Sequence, residues 1–341
     1  MIEIDGSYLE GGGQILRTAL SLSAITKKSC RVFNIRKCRD KPGLMPQHLL
    51  GMQVLNQLCQ GILESDMLGS QEIKFSPGDI SQDLSSINVK IETAGSISLV
   101  LQTLIPPALF SSSPVRIVFE GGATDTFFSP TLDYFQYVFL RILEKMNIKI
   151  ELNVLKRGYY PAGGAKVEVT VHPTKIKPLK LTERGDLKKV LAISGASESL
   201  KDKKVAERQI AGVREVLGKL KLPMEEKVEY CQTQCPGSQI CLAAEFENTI
   251  LGTDNLGKLG KRAEDVGKEA AQELLKEQKS QAALDKHLAD QILPYLALSF
   301  QKSQVSCSEI TNHCKTNIWA IEKFINGKFK IKDNLIAWQS D

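Results

Sequence analysis

The amino-acid sequence predicts an α+β fold built from repeated strand-and-helix units, with a smaller α/β domain inserted between them. Strand and helix periods recur in similar order twice within the first 180 residues, which indicates two units side by side. A further helix–strand–helix series follows residue 280 and supplies a candidate third unit. Between Thr182 and Lys279 charge density rises and glycine-led loops separate the segments, as in an inserted domain. We therefore expect a large domain of residues 1–181 and 280–341 and an inserted domain of residues 182–279.

The first unit starts with a short strand-like segment, Met1–Asp5. A helical period follows, on Ile15, Leu16, Ala19, Leu20 and Ser23. Residues Cys30 to Ile35 alternate like a strand. A second helix is expected after Pro46, because proline suits a first helical turn. This order gives strand, helix, strand and helix in about sixty residues.

The second and third units are predicted from the same periods. For the second unit we expect helices over Ile97–Leu104 and Thr131–Met146, and strands over Val115–Glu120, Ile148–Leu155 and Ala165–Val171. For the third we expect a helix over Leu288–Leu298, a strand near Gln304–Glu309 and a helix beginning around Thr316. The helices of the third series align loosely with those of the first two.

Composition is that of an ordinary globular protein. The chain has 341 residues, of which 42% are hydrophobic and 24% charged, enough for a substantial core. The net charge of +5 permits a polyanionic partner without requiring one. No stretch approaches the ~18 apolar residues of a membrane span, and Met1–Asp5 lacks the basic start of a signal peptide. We expect a cytoplasmic protein with no membrane partner.

The cysteines and lysine runs have plain interpretations. Eight cysteines are scattered, and the closest group, Cys231, Cys235 and Cys241, lacks the second ligand pair of a zinc site. We interpret them as reduced thiols. The charged runs Lys201–Lys204 and Lys258–Lys279 fit solvated helix faces better than binding sites, because helical spacing already explains them.

Three glycines mark the start of the first helix. In the segment from Glu10 to Arg17 they bring unpaired backbone amides and the positive end of the helix dipole together, which attracts phosphate. A plain glycine-rich turn is an equal alternative for the glycines alone. Glu10 adds a ligand for a hard metal ion and Arg17 adds a partner for an anion.

A second basic cluster follows in Arg36, Arg39 and Lys41, just before the polar pair Gln47 and His48. The two clusters together are suited to binding one phosphate chain. For His48, at a helix start, a capping or phosphate-binding role and a core role are equally supported.

The segment Tyr159–Gly164 is a turn between strands, preceded by Arg157. Its aromatic rings beside a cation can stack on a base or simply pack, and packing is the plainer interpretation.

The other three histidines differ in setting. His172 stands at a strand end and is interpreted as structural. His287 and Asp290 are three residues apart, hence on one helix face. His313 lies in a polar turn after a strand and before a helix, a rigid position that suits a nucleophile.

Taken in order, these motifs closely resemble those of the RNA 3'-terminal phosphate cyclases, from residue 1 to about residue 330. The motifs that carry the resemblance are Glu10–Arg17, Arg36–Leu44, Gln47–His48, Gly158–Gly164, His287–Gln291 and His313–Asn317. The resemblance implies three repeated βαβαββ-like units, shared with enolpyruvyl transferases, and a smaller inserted α/β domain. It also implies an enzyme that uses ATP to convert an RNA 3'-terminal phosphate into a 2',3'-cyclic phosphodiester, with release of AMP and pyrophosphate.

The same resemblance implies roles for individual residues. His313 matches the histidine that takes the AMP, and Glu10 matches a carboxylate associated with Mg²⁺ or Mn²⁺. The positions matching nucleotide contacts are Gln102, His287, Leu288, Ala289, Asp290 and Gln291. The positions matching phosphate or RNA contacts are Arg17, Arg36, Arg39 and Gln47. The expected partner is RNA with a 3'-phosphate end, and a homodimer is compatible with the sequence.

Two alternatives and two departures accompany this interpretation. The alternatives are a non-catalytic, RNA-binding ribosome-assembly protein on the same fold, which His313 argues against, and an enolpyruvyl transferase, which rests on fold analogy alone. The loop Gly121–Pro130 is one residue longer than the usual family version. Cys314 and Lys315 also depart from it, and a cysteine beside the nucleophile invites oxidation.

Overall fold

One arrangement of strands and helices occurs three times along the chain. The computed structural model describes residues 1–9, 11–80, 86–218 and 223–341. The elements of the first unit are β1 Ile2–Asp5, α1 Gly13–Thr26, β2 Cys30–Phe33, α2 Pro46–Cys59, β3 Ile62–Glu64 and β4 Ile73–Ser76. Its sheet has the order β1-β2-β4-β3, in which β1 and β2 are parallel and the other pairs antiparallel.

The second unit repeats this pattern. Its elements are β5 Ser86–Ser96, α3 Ile97–Ala108, β6 Val115–Ala123, α4 Leu132–Tyr134, α5 Leu140–Lys145, β7 Ile150–Lys156 and β8 Lys166–Val171. The sheet order is β5-β6-β8-β7, again with a parallel first pair and antiparallel others. The helix predicted over Thr131–Met146 is thus interrupted, because a π-helical turn, Phe135–Phe139, joins α4 to α5.

Strand β9, Lys180–Leu181, begins the third unit. Before that unit is completed, the chain forms a separate sheet, which we call the fourth sheet. Its elements are β10 Leu187–Ser197, α6 Val205–Leu217, β11 Met224–Cys231, β12 Ser238–Phe246, β13 Ile250–Leu256 and α7 Ala263–Lys279. The strand order is β11-β10-β12-β13, and apolar side chains of the sheet and the two helices form a separate core. The domain limits at residues 182 and 279 stay a prediction.

The third unit is completed after the fourth sheet. Its remaining elements are α8 Lys286–Leu298, β14 Ser303–Ser306, α9 Asn312–Phe324, β15 Gly327–Lys332 and β16 Leu335–Ser340. Read from β9, the sheet order is β9-β14-β16-β15, with β9 and β14 parallel and the other pairs antiparallel. All three units therefore share the order βαβαββ, and the predicted α+β fold is confirmed.

The helices of the three units share one apolar core. Helix α1 packs against α2, α3 and α9, and α8 packs against α3 and α9. Leu20, Leu101 and Leu293, one from each unit's first helix, are all buried. This packing brings the N-termini of α1 and α9 to one place, where polar side chains meet.

A buried ionic cluster joins the second unit to the fourth sheet. Arg157 donates hydrogen bonds to Asp133 over 2.7 Å and to Asp125 over 3.2 Å, and it also pairs with Glu229 of β11. Tyr159 is buried, and its hydroxyl donates to Gln239 Oε1 over 2.6 Å. The packing interpretation therefore fits Arg157 and Tyr159.

Across the described ranges, no helix combines the length and the apolar character needed to cross a membrane.

Candidate active site

His313 lies in the first turn of α9, at the junction of the first and third units. The prediction that this helix begins around Thr316 is wrong by about one turn, since α9 starts at Asn312. The cause is a cap: Thr311 Oγ1 accepts a hydrogen bond from the Cys314 backbone N–H over 3.2 Å. The imidazole is thus carried on a regular helix rather than on a loop.

Gln14 connects His313 to Asp290. The Gln14 Oε1 atom is hydrogen bonded to His313 Nδ1. On the other side of the same amide, Nε2 donates to Asp290 Oδ2 over 2.8 Å and to the His313 carbonyl over 3.3 Å. An ionised carboxylate only accepts hydrogen bonds, so Asp290 fixes which end of the amide faces His313. The amide oxygen then accepts a hydrogen bond from Nδ1–H, and in a neutral ring this leaves Nε2 unprotonated.

Two further side chains, those of Thr18 and Asn317, link α1, α8 and α9 through hydrogen bonds. Thr18 of α1 donates to Asn317 Oδ1 of α9 over 2.7 Å, and Asn317 Nδ2 donates to the Asp290 carbonyl of α8 over 2.8 Å. Both side chains are buried. They fix the positions of Gln14, His313 and Asp290 relative to one another.

Sequence reasoning did not single out Gln14, Thr18 or Asn317. Gln14 and Thr18 lie on the buried face of α1 among apolar side chains, and Asn317 lies on that of α9. A polar side chain on a buried helical face requires a hydrogen-bond partner. A polar residue within the apolar pattern was therefore the signal that could have identified these three positions.

The glycine-rich segment packs tightly against α2. A Cβ atom on Gly13 would lie 2.1 Å from His48 Nε2, so only glycine leaves room for the imidazole there. At Gly12 a Cβ atom would lie 3.5 Å from the Arg39 guanidinium. The start of α1 therefore adjoins both an imidazole and a cation, as expected for an anion site. Glu10, the predicted metal ligand, lies outside the described residues.

His48 is buried, with 7% of its surface exposed, and caps its own helix. Its Nδ1 accepts a hydrogen bond from the Met45 backbone N–H over 3.2 Å, so the ring proton is on Nε2, toward Gly13. Burial, followed by the charges of Arg17 and Arg36, lowers the pKa of His48 to about 3. The ring is neutral at physiological pH and acts as a hydrogen-bond donor, not as a cation.

The three predicted arginines have different surroundings. Burial lowers the pKa of Arg17 to about 10, although the charge of Asp290 opposes the shift. Arg36 donates to the carbonyls of Lys41 and Gly43 over 2.7 and 3.2 Å, so it shapes its own loop. Burial and the charge of Arg39 lower the pKa of Arg36. An anion placed near the pair would relieve this repulsion.

The residues with predicted nucleotide contacts divide into two groups. Gln102 Nε2 on α3 donates to Gln291 Oε1 on α8 over 3.1 Å, and His287 at the start of α8 is exposed. Gln291 follows Asp290 on α8, so the Gln102–Gln291 pair adjoins the polar cluster of Gln14, Asp290 and His313. The side chains of Leu288 and Ala289 are completely buried and belong to the apolar core. Gln47 lies apart from the cluster, in a cleft with Pro46 and Gly95.

Cys314 is shielded although it follows His313. Its side chain is buried, and burial raises the pKa of the thiol to about 12. A thiol that stays protonated and inaccessible reacts slowly, so the sequence-based expectation that it invites oxidation is not supported.

Metal ligands are not assembled in the part of the chain that the structure describes. Within residues 1–9, 11–80, 86–218 and 223–341, no group of three or more histidine, cysteine or acidic side chains is placed to hold an ion.

The fold and the site define an α+β protein of three βαβαββ units with a histidine-centred polar site between the first and third units. The chain belongs to the RNA 3'-terminal phosphate cyclase family, whose sequence model matches residues 8–331. This confirms the resemblance found in the motifs and decides against the enolpyruvyl transferase alternative.

Curated relatives match over nearly the whole chain. The RNA 3'-terminal phosphate cyclase of Pyrococcus abyssi is 45% identical over 97% of this chain and 95% of its own length. The protein of the same name from Thermococcus kodakarensis is 44% identical over 97% and 94%. That of Sulfurisphaera tokodaii is 40% identical over 97% and 96%.

Proposed function

We propose that this protein uses ATP to convert an RNA 3'-terminal phosphate into a 2',3'-cyclic phosphodiester, through a covalent AMP adduct on His313. The observation that carries the proposal is the contact chain from Asp290 through Gln14 to His313 Nδ1. A hydrogen bond donated by Nδ1–H to Gln14 makes Nε2 the unprotonated nitrogen of the neutral ring, the form that nucleophilic attack requires. A structural histidine has no need of this arrangement.

In the first step, His313 Nε2 attacks the α-phosphorus of ATP. The N–P bond forms as the bond to pyrophosphate breaks, and the ring gains positive charge. Gln14 Oε1 accepts a hydrogen bond from Nδ1–H throughout, and the Asp290 carboxylate polarises the amide from its other end. Both effects stabilise the charge that develops on the ring.

In the second step, an oxygen of the RNA 3'-phosphate attacks the same phosphorus and displaces Nε2. The product is an anhydride between the RNA end and AMP. In the third step, the ribose 2'-hydroxyl attacks the terminal RNA phosphorus, its proton is lost, and AMP leaves. A DNA end lacks this hydroxyl, so the substrate must end in a ribose.

The remaining residues suit the binding of the substrates. Neutral His48, with its Nε2–H beside Gly13, is suited to donate to a phosphate oxygen, and Arg17, Arg36 and Arg39 supply positive charge. Phosphate contacts carry no base information, so we expect little sequence preference and weaker binding at high salt.

We assign the nucleoside of ATP to the side of the polar cluster formed by α3 and α8. Gln102, Gln291 and His287 offer amide and ring groups at the surface of α3 and α8. Mg²⁺ or Mn²⁺ would neutralise phosphate charge, with Glu10 as its carboxylate ligand and the phosphates supplying others. A cytoplasmic location and a homodimer remain further proposals, the latter testable by light scattering.

The competing hypothesis is a non-catalytic RNA-binding protein of the same fold. Such a protein would bind RNA without needing a histidine in one fixed tautomer, so the arrangement around His313 favours the enzyme.

The test uses RNA with a labelled 3'-phosphate. In the presence of ATP and a divalent ion, the wild-type protein should make the label resistant to phosphatase, as a cyclic ester is. His313→Ala should abolish this conversion, whereas His172→Ala, which alters only a surface pair with Glu151, should retain it. Conversion that survives in His313→Ala would refute the proposed mechanism. Binding of RNA without conversion by the wild type would favour the non-catalytic alternative.

A further inference from the structure

Exposed aromatic side chains gather beside the longer loop of the second unit. Phe128 is fully exposed and Tyr160 is 58% exposed. The Phe127 and Tyr160 ring centres lie 6.2 Å apart, edge to face, and Lys258 Nζ lies 5.1 Å from the centre of the Phe127 ring. We call these four residues the aromatic platform. Leu259, also fully exposed, lies next to Lys258 in the chain.

The backbone holds Phe128 outward at some cost. Its φ angle is +64°, in the left-handed region that bulky residues rarely adopt. The Ser129 hydroxyl donates to the Thr126 carbonyl over 3.0 Å and helps to fix this conformation. The ring gains no burial in return. Packing therefore does not explain this conformation, and the rings of Phe127 and Tyr160 with the cation of Lys258 make this surface a candidate for ligand binding.

A cleft lies between α2 and β5, next to the turn that carries Tyr160. It has a volume of about 270 Å³ and is lined by Gln47 of α2 and by Lys90, Thr93 and Gly95 along β5. A Cβ atom on Gly95 would lie 3.8 Å from Gln47 Cβ. A Cβ atom on Gly163, outside the cleft lining, would lie 3.0 Å from the Thr93 carbonyl.

Gly163 belongs to the same turn as Tyr160, and its backbone N–H donates to the Tyr159 carbonyl over 2.7 Å. The cleft wall thus includes Gln47, next to His48 in sequence, and adjoins the turn of Tyr160 at Thr93. Its size approaches the lower end of small-molecule pockets, about 300 Å³.

We propose that the aromatic platform binds the RNA strand by stacking on a base upstream of the 3' end, while the cleft beside Gln47 holds the terminal nucleoside. This inference rests on the proposed function. Proteins that bind single strands without sequence preference combine aromatic rings, on which bases stack, with cations that attract the backbone. Phe128 and Tyr160 supply the rings and Lys258 supplies the cation. Lys90 and Glu92 both line the cleft and pair over 3.9 Å, so their charges offset each other and the positive charge of the proposed site comes from Lys258.

The charge and position of the platform favour RNA over a protein partner. Its cation lies against a ring face, an arrangement that also suits a base and its phosphate. The cleft lies between Gln47, next to His48 in sequence, and the turn of Tyr160, a position that suits an RNA strand and that a protein ligand does not require.

The test compares Phe128→Ala and Tyr160→Ala with Phe300→Ala. Phe300 is a matched control, because it is 51% exposed and has a φ of +53°, and it lies just beyond the C-terminus of α8. The substrates are a 3'-phosphorylated oligoribonucleotide of about ten nucleotides, within the usual range of single-strand sites, and a 3'-phosphorylated dinucleotide, which lacks the upstream strand. For the longer RNA, the KM of Phe128→Ala should rise about tenfold and that of Tyr160→Ala should rise by a similar factor. The KM for the dinucleotide and the rate of AMP transfer from ATP to the protein alone should match those of Phe300→Ala.

Three results would overturn the inference. If both platform variants have the same KM as the control for the longer RNA, the rings do not bind the strand, and a protein ligand becomes the better explanation of their exposure. If the KM rises equally for both RNAs, the rings contribute to the active site and not to binding of the upstream strand. If AMP transfer from ATP alone is slowed, the platform serves the nucleotide. A wild-type protein that cyclises neither RNA refutes the proposed function itself, whereas normal cyclisation by all variants refutes only the platform.

Discussion

Replacing Gln14 by leucine tests the part of the account that concerns His313. Leucine keeps the approximate volume of the side chain and removes both hydrogen-bonding ends of the amide. Asp290 loses the donor at 2.8 Å, and His313 Nδ1 loses the acceptor that fixes its proton. Asn317 still ties α8 to α9, so the helices should keep their places.

The expected loss follows from the two hydrogen bonds. A hydrogen bond to a charged group contributes about 1.5–3 kcal/mol and a neutral one about 0.5–1.5 kcal/mol. A combined loss of about 3 kcal/mol in the transition state lowers the rate about 100-fold. The loss should fall on AMP transfer, because the ring proton then also occupies Nε2 and blocks attack.

The assay is single-turnover formation of the protein–AMP adduct at saturating ATP. Gln53→Leu is the control, since Gln53 is exposed on α2 and the substitution is the same. We expect the ATP concentration for half-saturation to change little, while the rate falls about 100-fold in Gln14→Leu only. An unchanged rate in a correctly folded Gln14→Leu protein would refute the tautomer argument.

Three further predictions concern stability and reactivity. Burial and two nearby arginines lower the pKa of His48 from 6.5 to about 3. As the pH falls below 6.5, the unfolded chain therefore binds a proton at His48 that the folded chain does not bind. In urea titrations, the unfolding free energy of the wild type should therefore fall by about 3 kcal/mol between pH 7 and pH 4, and that of His48→Gln should fall much less. Arg157→Met should cost about 3–5 kcal/mol in the same titrations, because it leaves buried carboxylates unpaired, whereas Arg116→Met at an exposed pair should cost less than about 1 kcal/mol. In native protein, alkylation should modify exposed Cys38 first and leave Cys314 unmodified until the chain unfolds, and equal rates at the two would contradict the shielding described.

Much of the fold could be predicted from periodicity, because the helices and strands of the three units bury one regular face. The limits of single elements were less predictable where one side chain decides them. Thr311 starts α9 about a turn earlier than the apolar pattern suggested, since its hydroxyl provides the cap. The π-helical turn Phe135–Phe139 leaves the apolar spacing almost unchanged and so gave no separate signal.

The candidate site was predictable as a set of motifs but not as a network. His313 and Asp290 stood out as polar residues near predicted helix starts. Gln14, which joins them, belongs to a different unit, almost 300 positions away in the sequence. No local pattern reveals such a contact, because it depends on how α1 packs against α9.

The most direct test of the central claim is to locate the AMP on the protein. Wild-type protein incubated with labelled ATP and a divalent ion should form an acid-labile adduct, and peptide mapping under alkaline conditions should place it on the segment containing His313. His313→Ala should form none. An adduct on another residue, or none in the wild type with either Mg²⁺ or Mn²⁺, would contradict the account.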